Sequence, residues 1–146
     1  MEHALEAETP RGVYSWSGGM CVVSHHSDLI LDESTALKVD EDRLSICPEH
    51  KGTVLHLIPK DIAMMDSSSL SHWMSAEGSE GTLARAVVVP SNITALKHHI
   101  RWMFFRNDVA FRVFRNPQVA KGWLLDQWLT HQEDQSELAA DFSSLG

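Results

Sequence analysis

Two short runs of apolar residues mark the middle of the chain. They are Val54 to Ile58, interrupted only by His56, and Ala86 to Val89, ended by Pro90. Runs that are apolar on both sides of a strand are typical of a sheet covered by helices, because both faces of such a strand are buried. A third run, Phe111 to Phe114, comes closer to alternating apolar and polar residues. We therefore predict two central strands and a third strand nearer the edge of the sheet.

Helical patterns lie between and after these strands. Apolar residues recur at helical spacing in a segment capped by Ser91-Asn92, and again in a segment that opens at Asn116-Pro117. An acidic start and a proline stop also predict a helix or helical turn from Asp32 to Cys47. Strand and helix thus alternate along the chain.

The beginning of the chain leaves two interpretations open. Residues Tyr14 to His26 surround Gly18-Gly19 with aromatic and β-branched side chains, which predicts either a hairpin or one strand that begins after the glycines. Residues 1–11 are acidic and are predicted to be a flexible tail, residues 12–131 form the domain, and residues 132–146 are predicted to be a weakly ordered acidic tail. The whole pattern predicts a single layered α/β domain, with a mixed or mostly parallel sheet of four or five strands covered by helices on one or both faces.

Composition narrows the class of protein. A chain of 146 residues can bury a core without metals or disulfides, and 43% hydrophobic content with five tryptophans excludes intrinsic disorder. Its apolar runs are too short to span a membrane. The net charge of −8 argues against general nucleic-acid binding, which needs a basic surface. Two cysteines and no apparent secretion signal favour a reducing cytoplasm.

The stretch Asp66-Ser67-Ser68-Ser69-Leu70 follows an apolar strand and precedes a Gly-rich break. An acidic residue followed by hydroxyls at such a junction is typical of a helix N-cap. The same residues also form a candidate phosphorylation site, because a phosphate adds charge at a helix start. The cap is the favoured interpretation and is compatible with a phosphorylation site, for which Asp66, Ser67 and Ser68 are the candidate regulatory residues.

Nine histidines raise the question of a metal site. Adjacent histidines such as His25-His26 and His98-His99 point in different directions, and neither His-x-x-x-His nor Cys-x-x-Cys occurs. We therefore predict structural or surface roles for the histidines, core packing for Cys21 and Cys47, and neither metal nor cofactor. Without a matched catalytic triad or carboxylate pair, the sequence favours a protein that is not an enzyme.

A row of four large apolar residues, Trp102 to Phe105, is flanked by Arg101 and Arg106. Since only one face of a helix enters a single core, at least one of these side chains must point elsewhere. An exposed aromatic residue framed by arginines is typical of a protein interface or the mouth of a pocket. We predict a contact between two copies in a homodimer, which needs no unknown ligand, with a small apolar ligand as the alternative. The candidate residues for this contact are Trp102, Phe104, Phe105 and Arg106.

Three stretches resemble the STAS family, the SpoIIAA-like domains of the anti-sigma-factor antagonist type. They are Leu57 to Leu70, Ala84 to Val89, and Phe114 to Leu124. The resemblance implies a regulatory domain that acts through protein association, in which a partner kinase phosphorylates a serine at the start of a helix, here Ser67. It also includes a STAS-like branch similar to lipid carriers of the CRAL-TRIO type, which implies a carrier or sensor of an apolar molecule as the alternative function.

Overall fold

The computed structural model describes residues 5–46, 52–75, 82–90 and 110–145. These parts of the chain form eight strands and three helices. In chain order they are β1 (Leu5–Thr9), β2 (Gly12–Ser17), β3 (Met20–His25), β4 (Ile30–Leu31), α1 (Glu33–Ile46), β5 (Gly52–Leu57), β6 (Met64–Met65), α2 (Ser67–Met74), β7 (Thr82–Val88), β8 (Phe111–Phe114) and α3 (Pro117–Leu145).

Six of the strands form the main sheet, in the order β1-β2-β3-β5-β7-β8. The first three strands pair antiparallel, and the pairs from β3 to β8 are parallel. β4 and β6 form a separate parallel ribbon of two residues each. The predicted α/β class and mostly parallel mixed sheet are confirmed, but the predicted number of four or five strands is too small.

Helices cover both faces of the central strands. In β5, Val54 packs in the core cluster that includes residues of α1 and α2, whereas its neighbour Leu55 packs in a second cluster with Ala120 and Leu124 of α3. Successive side chains of a strand point to opposite faces, so one apolar run supplies both cores. The prediction that the strand at 54–58 is buried on both sides is therefore confirmed, as are the helices expected to follow Asp32 and Asn116.

The glycine pair between β2 and β3 closes a hairpin. Gly18 and Gly19 have φ angles of 57° and 79°, which is the backbone conformation that a two-residue turn between antiparallel strands requires. Tyr14 and Trp16 of β2 pair with Val23 and Cys21 of β3. Of the two interpretations left open by the sequence, the hairpin is the observed one.

Both segments predicted as tails contain regular secondary structure. Within residues 1–11, Leu5–Thr9 form the edge strand β1, which pairs with β2 along its whole length. Backbone hydrogen bonds hold such a strand, so the exposed Glu6 and Glu8 are compatible with it. Within residues 132–146, α3 continues to Leu145. Adding residues to an existing helix needs no new nucleus, so a polar segment can extend it.

No helix in the described residues is both long and apolar enough to cross a membrane. The helix predicted after Ser91-Asn92 lies outside the described part of the chain.

Gly52 at the start of β5 should tolerate no larger residue. A Cβ there would lie 2.6 Å from the carbonyl oxygen of Gly19 and 2.6 Å from a ring carbon of Trp16. We expect Gly52→Ala to lower the free energy of unfolding by about 1–3 kcal/mol in urea denaturation. The matched control is Gly122→Ala in α3, where a Cβ meets open space and helix propensity should stabilise the protein by about 0.5–1 kcal/mol. Equal effects of the two substitutions would contradict the close packing at Gly52.

Candidate functional site

Helix α2 begins directly after the ribbon of β4 and β6. Asp66 is its N-cap, and its Oδ1 accepts a hydrogen bond of 2.9 Å from the backbone N–H of Ser68. The backbone N–H of Asp66 donates to the carbonyl of Leu31 in β4. The residue predicted as a cap is therefore a cap, and the ribbon fixes where the helix starts.

The three consecutive serines have different surroundings. Ser69 is buried, and its hydroxyl donates to the carbonyl of Asp66 at 2.7 Å. The Oγ of Ser68 accepts a hydrogen bond of 3.1 Å from the backbone N–H of Glu33 at the start of α1. The hydroxyl of Ser67 has no hydrogen-bond partner among the described residues. The structure thus separates a buried serine, a serine that links two helices, and a serine whose hydroxyl is uncommitted.

A surface cleft of about 420 Å³ lies along this helix. Its lining supplies four serine hydroxyls, one carboxylate and one imidazole. The lining residues are Glu33, Ser67, Ser68, Ser71, His72 and Ser75. The uncommitted hydroxyl of Ser67 is therefore part of a concave polar surface.

A buried polar cluster lies under α1 and α2. His25 of β3, His56 of β5 and Arg85 of β7 are 5%, 0% and 1% exposed. Each lies two positions along its strand from an apolar residue of the core cluster under α1 and α2. Because side chains two positions apart in a strand point to the same face of the sheet, all three point toward these helices. In the register of the sheet, His56 pairs with Val23 and Val87, which makes His25 and Arg85 its diagonal neighbours on either side.

These three side chains form a chain of hydrogen bonds. The Nη1 atom of Arg85 lies 2.6 Å from Nε2 of His56. On the other side of the ring, Nδ1 of His56 lies 2.9 Å from Nε2 of His25. Because arginine can only donate, Nε2 of His56 accepts and its Nδ1 carries the hydrogen. His56 then donates to His25, whose own hydrogen is on Nδ1. The geometry therefore assigns both tautomers, with both rings neutral.

Helix α1 supplies charged side chains to this cluster. Its residues Ala36, Val39, Asp40 and Arg43 are buried and follow the helical spacing of one face. Asp40 receives two hydrogen bonds from Arg85, at 3.0 and 3.3 Å. Nε of Arg43 lies 3.7 Å from the same carboxylate. One buried carboxylate therefore faces two guanidinium groups.

Helix α2 connects the cluster to the cleft. The ring of Trp73 stacks on His56, with ring centroids 4.0 Å apart, and the guanidinium of Arg85 lies 5.6 Å from its centroid. One residue earlier, His72 lines the cleft and places its Nε2 3.7 Å from the carboxylate of Asp40. His72 is thus between the surface cleft and the buried charges.

Burial changes the proton affinity of the cluster. Burial, with the charge of Arg85 as the second cause, lowers the pKa of His25 to about 3. Burial, with the charge of Arg85 as the second cause, also holds the pKa of His56 well below its ordinary value. Both histidines are therefore neutral at physiological pH, in agreement with the hydrogen-bond pattern.

Sequence patterns alone do not bring His25 and His56 together, and they do not mark Asp40, Arg43 or Arg85 as a site. The available signal was a histidine and an arginine inside two otherwise apolar strands. Of the histidines considered for metal binding, His25 is in the core and His26 is partly exposed beside Glu8. No group of three or more potential ligand residues in the described ranges is arranged to hold a metal ion. Cys21 is buried in β3, as expected for core packing.

The aromatic cluster predicted as an interface lies outside the described residues. The homodimer and the small apolar ligand therefore stay predictions, and both depend on Trp102, Phe104, Phe105 and Arg106. Native mass spectrometry distinguishes the two, because a retained small mass indicates a ligand and a doubled mass indicates a dimer.

A family model described as a domain of unknown function (DUF7793) matches residues 14–127. The match extends from the middle of β2 into α3 and includes the cleft and the buried cluster. No curated protein and no solved structure matches the chain. Since the model covers most of its length, the chain belongs to this family.

Proposed function

We propose that this member of the DUF7793 family is a non-enzymatic regulatory domain of STAS-like type, which acts by associating with another protein and is switched by phosphorylation of Ser67. The observation that carries the proposal is the uncommitted hydroxyl of Ser67 at the cleft, beside two serines whose hydroxyls are engaged. A kinase can modify such a hydroxyl without first breaking a hydrogen bond of the fold.

The surroundings of Ser67 favour a disruptive effect of the phosphate. A phosphoserine carries about −1.5 to −2 charges at neutral pH. It would be placed next to the capping carboxylate of Asp66 and in the same cleft as Glu33. Repulsion between these groups would weaken the hydrogen bond from the backbone N–H of Glu33 to Ser68, which joins the starts of α1 and α2. The phosphate would then change the shape and the charge of the cleft together.

The buried cluster supports a structural and not a catalytic use of its histidines. His25 and His56 are inaccessible to solvent and are held neutral, and both ring nitrogens of His56 are engaged in hydrogen bonds. A general acid or base needs contact with a substrate. The accessible chemistry is instead in the serine-lined cleft, which fits a role in recognition.

Site-specific incorporation of phosphoserine tests the switch. We expect phosphoserine at position 67 to weaken binding of a partner isolated with the unmodified chain by about tenfold or more, which corresponds to about 1.4 kcal/mol of repulsion. Amide chemical shifts should change in both α1 and α2. Binding is measured by isothermal titration calorimetry with the purified partner.

Phosphoserine at position 71 is the matched control. Ser71 is exposed on the same helix and lines the same cleft, but its hydroxyl already donates to the carbonyl of Ser67. We expect it to change binding by less than about threefold, because it is a full turn further from the cap of α2. Equal losses at both positions, or none at position 67, would argue against a switch at Ser67.

A further inference from the structure

Arg43 carries a buried charge that the described residues around it do not fully neutralise. Its side chain is 2% exposed, yet the nearest carboxylate, that of Asp40, lies 3.7 Å away. Both oxygens of that carboxylate are bonded to Arg85, at 3.0 and 3.3 Å. Among the described residues, two guanidinium groups therefore share one negative charge, which leaves one positive charge in this part of the cluster.

The hydrogen bonds of Arg43 are also incomplete. A guanidinium has five N–H donors, but within the described ranges Arg43 makes one hydrogen bond, from Nη2 to Oγ1 of Thr82 at 3.3 Å. Its Nε is buried and has no hydrogen-bond acceptor. Arg85 differs, because it binds Asp40, donates to His56 and lies against the ring of Trp73. The excess charge is therefore at Arg43.

Other compensating groups are too weak. His25 and His56 are neutral and would add positive charge if they were protonated. Arg43 is in the last turn of α1, where the helix dipole stabilises a positive charge only weakly. The cost of burying an uncompensated ion is much larger than this stabilisation. The difference calls for a negatively charged group at this place.

We infer that Arg43 and Thr82 form a binding site for a small oxyanion, namely a phosphate, sulfate or carboxylate group. Thr82 is the first residue of β7 and is partly exposed, so the hydroxyl that Arg43 contacts is near the surface. The planar fork of the guanidinium matches two oxygens of such a group, and the hydroxyl of Thr82 can donate to the same anion. The site is independent of the switch at Ser67, because Glu33 in the cleft and Arg43 are about 15 Å apart along α1.

Thermal unfolding in inorganic phosphate tests this site. Ionic strength is held constant with sodium chloride, and acetate is titrated in parallel. We expect a saturable rise in Tm of roughly 5–10 °C for the wild type at about one hundred times the Kd. A rise with phosphate alone identifies a phosphate site, and a rise with acetate alone identifies a carboxylate site. No saturable rise with either anion would overturn the inference.

Two arginine variants locate the effect. Arg43→Met should lose the anion-dependent rise, and in anion-free buffer its Tm should equal or exceed that of the wild type, because the uncompensated charge is gone. Arg11→Met is the matched control, since it removes a partly exposed arginine that pairs with Asp42, and it should keep the rise. The inference fails when Arg43→Met responds to the anion as the wild type does.

Thr82→Val provides a second test that leaves the charges in place. It replaces the hydroxyl beside Arg43 with a methyl group of similar size and should weaken phosphate binding about tenfold, the usual effect of losing a hydrogen bond to a charged group. The Kd is measured by isothermal titration calorimetry. Unchanged affinity in this variant would remove Thr82 from the site and contradict the inference.

Discussion

Asp40→Asn should lower the free energy of unfolding by about 3–5 kcal/mol, measured by urea denaturation. The substitution keeps the shape of the side chain but removes the negative charge that Arg85 and Arg43 share. All three side chains are less than one tenth exposed, so water cannot replace the lost partner. Two guanidinium groups would then be left in the interior without a carboxylate.

Asp42→Asn is the matched control, on the same helix and with the same change of atoms. Asp42 binds Arg11, Tyr14 and Thr9, but its side chain is 18% exposed and that of Arg11 is 30% exposed. We expect a loss of about 1 kcal/mol, because solvent screens this pair. A loss at Asp40 no larger than that at Asp42 would mean that the buried cluster contributes little to stability.

A double variant separates charge from packing. Adding Arg43→Met to Asp40→Asn returns the cluster to one positive charge, so part of the lost stability should be recovered. The interaction energy from the double-mutant cycle should be at least about 1 kcal/mol. Simple addition of the two effects would indicate that Arg43 and Asp40 do not share their charge.

Acidification should destabilise the protein well above the pH at which carboxylates titrate. His25 and His56 have lower pKa values in the folded protein than the ordinary 6.5, about 3 for His25. The unfolded chain therefore binds more protons than the folded protein below pH 6.5, and stability falls as the pH decreases from 6.5 toward 3. Each histidine should contribute a loss of about 1.4 kcal/mol per pH unit.

Urea denaturation between pH 6.5 and 5.5 measures this slope, since the exposed carboxylates remain largely ionised in that range. His25→Gln should reduce the slope by about half, because it removes one of the two buried imidazoles. His26→Gln changes the adjacent, partly exposed residue and should leave most of the slope in place. A wild-type stability that is constant over this range would contradict neutral burial of the two rings.

Local signals in the sequence predicted much of the architecture. Runs such as Val54 to Ile58 indicated strands buried on both faces, and the start of α3 at Pro117 followed from the sequence Asn116-Pro117. Asp66 was identified as a helix cap from its position before three serines. Each of these features depends on residues within about one turn or one strand of each other, so a short window of sequence contains the information.

The edge strand β1 could not be predicted from such local signals. The residues of β1 are Leu-Glu-Ala-Glu-Thr, and their negative charge indicated a tail. A strand at the edge needs only a backbone ladder on one side, which any side chain permits. Similarly, the polar end of α3 gave no apolar pattern beyond His131, although a helix that is already formed extends at little cost.

The sequence alone determined the alternation of strands and helices, the faces that are apolar, and the serine-rich start of α2. Only the tertiary structure decided that His25 meets His56, that His56 meets Arg85, and that Arg85 meets Asp40, across separations of 31, 29 and 45 residues. The physical reason is that periodicity and capping act between near neighbours, whereas the register of parallel strands is set by the packing of the whole sheet against its helices. For that reason the helix start at Ser67 could be anticipated from the sequence, whereas the cleft beside it and the buried charge cluster could not.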